Sequence, residues 1–207
     1  LLLIRHGMTE WNEAGRLMGR LPIPLAPGGQ RQAHKLAAAL VGARIDTILC
    51  SPQTRAVQTA VIVAKPHGLD PRVDPALDEV LLGPRWLGKT FAEVRDDPDF
   101  IALRRDPLYE CKDIEHIASV QARVVALVEG LRAAGGERTI ALVSHGDPLR
   151  ALLAHFLGLP LSDYRHFVVE TGSVSVVVLR HEMPRVLLLS WRPGETLEEV
   201  VSASEWS

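Results

Sequence analysis

Short apolar runs alternate with longer stretches that carry helical patterning. Leu1 to Ile4, Ile45 to Leu49 and Thr139 to Val143 are unbroken enough to predict strands buried on both faces. Residues 8 to 27 contain Gly15, Gly19, Pro22, Pro24 and Pro27 and read as a loop. Gly28 to Leu40 is rich in alanine, glutamine and leucine, closes near Gly42 and predicts a helix. Ser51-Pro52 is expected to cap and start another helix reaching about Ala64, ended by Pro66 and Gly68.

Residues 69 to 115 hold five prolines and many charges. A short strand near Arg72-Val73 and a helix from Thr90 to Arg95 are expected there. Ile117 to Leu131 predicts an amphipathic helix, followed by Gly135-Gly136, and Pro148 to Leu157 a further helix. Val174 to Leu179 and Arg185 to Leu189 read as a closing strand pair, with Met183-Pro184 in the turn. The tail from Pro193 is polar and expected to be loosely held. Strands alternating with helices predict an α/β fold with a mainly parallel sheet. With no repeat or linker, residues 1–207 read as one domain, and 83–114 as a candidate insertion or lid.

Composition narrows the function classes. Hydrophobic residues are 47% and charged residues 23% of the 207, ordinary for a globular protein. A formal net charge of -2 gives no global field for nucleic acid or an anionic membrane. The two cysteines, Cys50 and Cys111, make neither a disulfide framework nor a four-cysteine zinc site. Leu1 to Ile4 meets Arg5 at once, too short for a signal-peptide core, and no apolar run approaches about 20 residues. A cytoplasmic protein is expected. The first residue is not methionine, so a few residues are expected to be missing ahead of it.

In open α/β sheets, ligands bind beyond the carboxyl ends of strands. The first predicted strand is followed by Arg5-His6-Gly7, the second by Ser51-Pro52 with Arg55 close behind, and the third by Ser144-His145-Gly146. A lone histidine at a strand end is usually only a hydrogen-bonded structural residue, and a lone arginine a surface charge. Two histidines and two arginines at equivalent strand ends point instead to an anion site. Arginine's planar fork suits phosphate. Histidine, with an ordinary pKa of about 6.5, is a neutral nucleophile at pH 7, and neighbouring arginines should lower that pKa further. Glycine after each histidine would let the backbone approach a ligand closely. His34, His67, His116, His155, His166 and His181 lack such placement and read as surface or core residues.

These motifs resemble the histidine phosphatase superfamily, which also contains the phosphoglycerate mutases. Arg5-His6-Gly7-Met8-Thr9-Glu10-Trp11-Asn12 is similar to its R-H-G-x-T-x-x-N signature, and Gly15 to Arg20 through Pro24-Leu25 to its first loop. Ser51-Pro52-Gln53-Thr54-Arg55-Ala56-Val57-Gln58-Thr59-Ala60 resembles its second motif, Leu77-Asp78-Glu79 its L-x-E element and Ser144-His145-Gly146 its third. The resemblance implies a three-layer α/β/α sandwich with a mostly parallel central sheet, phosphoglycerate mutase-like. It implies a metal-independent phosphomonoester hydrolase without a cofactor. His6 would take the phosphoryl group, and Glu79 would serve as proton donor and then acceptor. Arg5, Arg55 and His145 would hold the phosphate, with Asn12, Met18 and Gly146 lining the substrate.

Four positions depart from the family pattern. Met18 stands where glutamine is frequent, Trp86-Leu87-Gly88 replaces W-E-G, Ile114-Glu115-His116 replaces G-E-S, and Asp147-Pro148 follows the third motif. They suggest a pocket adapted to an unusual or fairly apolar ester. Sugar phosphates, phosphoglycerate, phosphoserine, nucleotides and α-ribazole phosphate are all candidates.

Four other readings compete with this one. A mutase would carry a longer insertion than Val80 to Ile114. A metal-dependent hydrolase would use His6, His145, Asp147 and Glu79 as ligands, yet Arg5 would repel the cation. A non-enzymatic phosphate-binding protein would be expected to lose His6 or Glu79. A serine hydrolase lacks its glycine before Ser144-His145-Gly146. The expected partner is a small phosphorylated substrate, without nucleic acid or membrane. A homodimer could form through an edge strand between Val174 and Leu189.

Overall fold

A computed structural model describes residues 1–179 and 183–196. His181, part of the expected hairpin turn and the end of the polar tail lie outside the described residues. The strands are β1 (Leu2–Arg5), β2 (Thr47–Cys50), β3 (Arg72–Val73), β4 (Ile140–Ser144), β5 (Val174–Val178) and β6 (Arg185–Trp191). The helices are α1 (Glu10–Glu13), α2 (Pro27–Leu40), α3 (Thr54–Ala64), α4 (Phe91–Val94), α5 (Pro98–Arg105), α6 (Ile117–Ala133) and α7 (Gly146–Leu157).

The six strands form one sheet in the order β3-β2-β4-β1-β5-β6. The four from β3 to β1 are parallel; β5 runs against them, and β6, antiparallel to β5, points their way again. The sheet is therefore mostly parallel, as expected. Alternation along β1 sends Leu2 and Ile4 to one face and Leu3 to the other. The first face packs on α2 and α3 through Leu36, Leu40, Ala56, Ala60 and Val63. The second packs on α6 and α7 through Val124, Val128, Leu149, Leu152 and Phe156. Two helical layers around one sheet follow directly. The outer strand β6 exposes Leu187, Leu189 and Trp191.

Residues 83–114 have a small core of their own, in which Trp86, Val94, Phe100 and Leu103 pack with Leu17 and Leu82. Trp86 donates its indole N–H to Asp97 at 3.1 Å. The segment joins the first loop through the Leu17–Lys89 and Gly88–Leu17 backbone hydrogen bonds, both 2.9 Å. Two short helices missing from the sequence reading are α1 and α5. α1 is a single turn closed by a Thr9–Asn12 capping box. α5 starts with Asp97 accepting two backbone N–H groups and Pro98 in the first turn.

The start of α3 also differs. It begins at Thr54, with Gln53 in the capping position and no side-chain cap. Ser51 still accepts from the Gln53 N–H at 3.2 Å, but its hydroxyl is committed elsewhere, as the site shows.

Candidate active site

Register brings the strand ends together. Arg5 pairs with Ser144, and Cys50 with Val143. Hydrogen bonding continues one residue further: the His6 N–H donates to the Ser144 carbonyl at 3.0 Å and the Ser51 N–H to Val143 at 2.9 Å. His6, Ser51 and His145 thus leave the sheet side by side. The rings of His6 and His145 have centroids 5.1 Å apart.

His6 is buried, and its Nδ1 lies 2.7 Å from the Gly7 carbonyl. A carbonyl can only accept, so Nδ1 carries the proton and Nε2 the lone pair. Arg55 donates Nε–H to that Nε2 at 3.3 Å, a long contact. Burial, then Arg55 and Arg5, holds the His6 pKa well below its ordinary value, against the opposing Gly7 bond. The arginine effect read from the sequence is present, but burial is the larger cause.

Arg55 is fully buried, and the first loop grips it. Its Nη1 donates to the Leu21 carbonyl at 3.0 Å and its Nη2 to Gly19 at 2.8 Å. Thr59 ties the two motifs together, accepting from the Gly7 N–H at 3.0 Å while donating to the Arg55 carbonyl at 2.8 Å. Arg5 donates to the Val169 carbonyl at 2.6 Å. Burial lowers the Arg5 pKa to about 10, with Arg150 contributing, so it stays charged at neutral pH.

His145 caps α7 in an extended conformation. Its Nε2 lies 2.7 Å from the Ser51 hydroxyl, which is 3.3 Å from Asp78 Oδ1. A carboxylate only accepts, so Ser51 donates to Asp78 and accepts from the ring Nε2–H, leaving Nδ1 with the lone pair. Among the described residues, that Nδ1 has no hydrogen-bond partner; it lies 4.0 Å from Glu79 Oε2. The His145 pKa is held well below its ordinary value by burial first, then Arg55 and His6. The open N-terminus of α7 adds positive potential at the same point.

The Glu79 carboxyl is pushed up to about 7, chiefly by burial and then by Asp147, against Arg55, the Val80 N–H and Arg5. Its backbone is clamped from behind. Arg20 and Arg123 donate to the Glu79 carbonyl at 2.8 and 3.2 Å, and Glu115 bridges both arginines at 2.7 and 2.9 Å. Asp78 accepts from the Glu79 N–H at 2.9 Å and from Gln53 at 2.8 Å. A carboxyl poised near neutrality beside a donor array can give and take a proton.

Arg5, His6, Arg55, Glu79, His145 and Gly146 converge. Asn12 and Met18 both contact Thr9: Asn12 Oδ1 accepts from its N–H at 3.1 Å, and the Met18 sulfur lies 3.2 Å from its hydroxyl. Ser51, Asp78, Arg20, Glu115 and Arg123 were not foreseen. Ser51 and Asp78 stand inside recognised motifs, whereas Arg123 sits on the polar side of α6 with no local signal. Asp147 draws Arg150 to 2.9 Å and Arg165 to 3.6 Å. The surroundings on that side are ionic rather than apolar.

At Gly7, packing alone forbids a side chain. A Cβ there would sit 2.4 Å from the Gly29 carbonyl oxygen, so Gly7 lets α2 approach. Gly7→Ala is expected to destabilise the fold by about 2 kcal/mol or more through overpacking. Denaturant unfolding checks this, and an unchanged midpoint would refute it.

Comparison with known proteins follows the same lines. The family described as "Histidine phosphatase superfamily (branch 1)" matches residues 1–192. Phosphoserine phosphatase 1 of Hydrogenobacter thermophilus is 32% identical over 193 residues, covering 92% of this chain and 91% of that protein. Adenosylcobalamin/alpha-ribazole phosphatase of Escherichia coli is 29% identical over 201 residues, covering 93% and 96%. A mycobacterial glucosyl-3-phosphoglycerate phosphatase, solved with VO3, superposes with a TM-score of 0.83 at 30% identity, covering 94% of this chain and 99% of that one.

Proposed function

The chain belongs to the histidine phosphatase superfamily and is a phosphatase, and on that premise we propose that it hydrolyses small phosphomonoesters through a phosphohistidine on Nε2 of His6, without a metal. The observation that carries this reading is the His6–Gly7 hydrogen bond. It leaves Nε2 as the nucleophilic nitrogen, within reach of Arg55.

In the proposed reaction, the phosphate is held by Arg5, Arg55, the α7 N-terminus and His145, whose neutral ring moves its proton to Nδ1 as Ser51 turns its hydroxyl from Asp78 to Nε2. Arg55 turns its Nε–H from His6 to a phosphate oxygen. His6 Nε2 then forms a bond to phosphorus as the bond to the ester oxygen breaks. Glu79, protonated, gives its proton to the departing oxygen. A water attacks the phosphohistidine and Glu79 takes its proton back, so phosphate leaves and both residues are restored. Fixed positive groups oppose the charge on the transferring phosphoryl.

The named relatives act on phosphoserine, α-ribazole phosphate and glucosyl-3-phosphoglycerate, by their descriptions. They support a small phosphorylated metabolite as substrate and do not single one out. Cys50 and Cys111 are free thiols, which suits a reducing cytoplasm. Among the described residues, no helix is long and apolar enough to cross a membrane.

Phosphate release from a panel of esters, with and without EDTA, tests the metal-free reading. The expected rates agree within about twofold, because Arg5 and Arg55 supply the charge a metal would. Inhibition by EDTA that added zinc or iron reverses would contradict it.

A further inference from the structure

The phosphate pocket has more positive charge than a phosphate needs. Arg5 and Arg55 match a dianion, and Arg55 has all its nitrogens engaged. Just beyond lies a second pair. A Cβ on Gly146 would be 3.2 Å from Arg150 Nη2 and 3.5 Å from Arg5 Cζ, so the two guanidiniums flank one backbone point. Arg150 and Arg165 then share the single carboxylate oxygen Asp147 Oδ1. One carboxylate cannot neutralise two guanidiniums. Among the described residues, Arg165 Nε is also buried with no hydrogen-bond partner, an unsatisfied donor that needs an explanation.

The wider surroundings do not remove the surplus. Arg104, on α5 of the 83–114 segment, lies in the field of Arg165 and Arg150. Among the described residues, the other carboxylates in reach are Glu170, which faces Arg5, Glu79, whose proton the reaction uses, and Asp78, which acts on Arg55 but is paired with Arg20 at 3.3 Å. Even with a phosphate dianion bound, one positive charge stays unmatched. The side chains of Arg150 and Arg165 are each only 22% exposed, so solvent screens this charge incompletely.

Resting on the phosphatase reading above, we propose that Arg150 and Arg165 form a second anion subsite and that the physiological ester carries a carboxylate close to its ester oxygen. Guanidinium suits a planar carboxylate bidentately. A second phosphate dianion would overmatch a single surplus charge. Asp147 orients both arginines, which gives this departure from the family pattern a role in specificity.

The test compares substrates that differ only by the carboxylate: phosphoserine against phosphoethanolamine, and 3-phosphoglycerate against glycerol 3-phosphate. The expected kcat/KM is about tenfold or more higher for the carboxylate-bearing member of each pair, as one charged hydrogen bond gives. Arg150→Gln and Arg165→Gln should bring that ratio toward one, mainly through KM. His6-dependent release from both members at equal kcat/KM in the unaltered protein would overturn the subsite and leave the phosphatase reading standing. A purely structural Arg150–Asp147–Arg165 network would slow both members together and keep the ratio, which also overturns it. Should no ester be hydrolysed, the phosphatase reading fails, and calorimetric binding of the same pairs still decides. Tighter binding of phosphoserine than phosphoethanolamine supports the subsite; equal or absent binding refutes it.

Discussion

His6→Ala is expected to lower phosphate release by at least about 10⁴-fold for every ester, activated or not. No other group in the site can replace it. His145 is the nearest imidazole, but its Nε2 is held by Ser51 at 2.7 Å and its Nδ1 faces Glu79. The loss should fall on kcat, because Arg5, Arg55 and the α7 N-terminus remain to bind phosphate. Phosphate should still bind His6→Ala with affinity near that of the unaltered protein, which separates lost chemistry from lost folding. Residual turnover above about 1% would require another nucleophile and would sink the mechanism.

Glu79→Gln separates esters by leaving group. Alkyl phosphates need a proton on the departing oxygen, and general acid catalysis contributes about 10²–10⁴-fold. Nitrophenolate leaves without one, so nitrophenyl phosphate should be slowed far less. Equal slowing of both would count against the acid role. The pH profile gives a second readout. Glu79 must be protonated for the first step, and its carboxyl stands at about 7. Thus kcat/KM for alkyl phosphates should fall as pH rises through about 7, a limb absent from Glu79→Gln. His6 is neutral until well below its ordinary value, so it adds no acidic limb near 6.5. An acidic limb near 6 would belong to the second ionisation of the ester phosphate.

Much of this site was readable because a parallel sheet aligns its strand ends. Arg5-His6, Ser51 to Arg55 and Ser144-His145 each follow a buried apolar run, and the register places them side by side. What sequence could not show lies in tertiary contacts. Ser51 reads as a helix cap, since serine before proline is a common helix start, yet its oxygen holds His145. Arg123 meets the Glu79 carbonyl only because α6 crosses behind it. The α5 start signal, Asp97-Pro98, was present but hidden among the prolines and charges of its segment. α1 is too short for periodicity to reveal.

The departures from the family pattern also become physical once folded. Leu87 packs on the Gly19 turn, where a Cβ would come within 3.0 Å of it, and Gly19 supplies a carbonyl to Arg55. Met18 rests against Thr9. Asp147 gathers arginines beside the phosphate pocket, and it is the departure with the greatest consequence for substrate choice.

The most direct test of the central claim is to quench the enzyme during turnover of a fast-leaving ester and locate the covalent phosphate by mass spectrometry under alkaline conditions, where a phosphohistidine survives. The account predicts phosphate on His6, accumulating further in Glu79→Gln if that change slows the attack of water more than phosphoryl transfer, and absent from His6→Ala. Phosphate on another residue, or none on His6 while turnover proceeds, would contradict it.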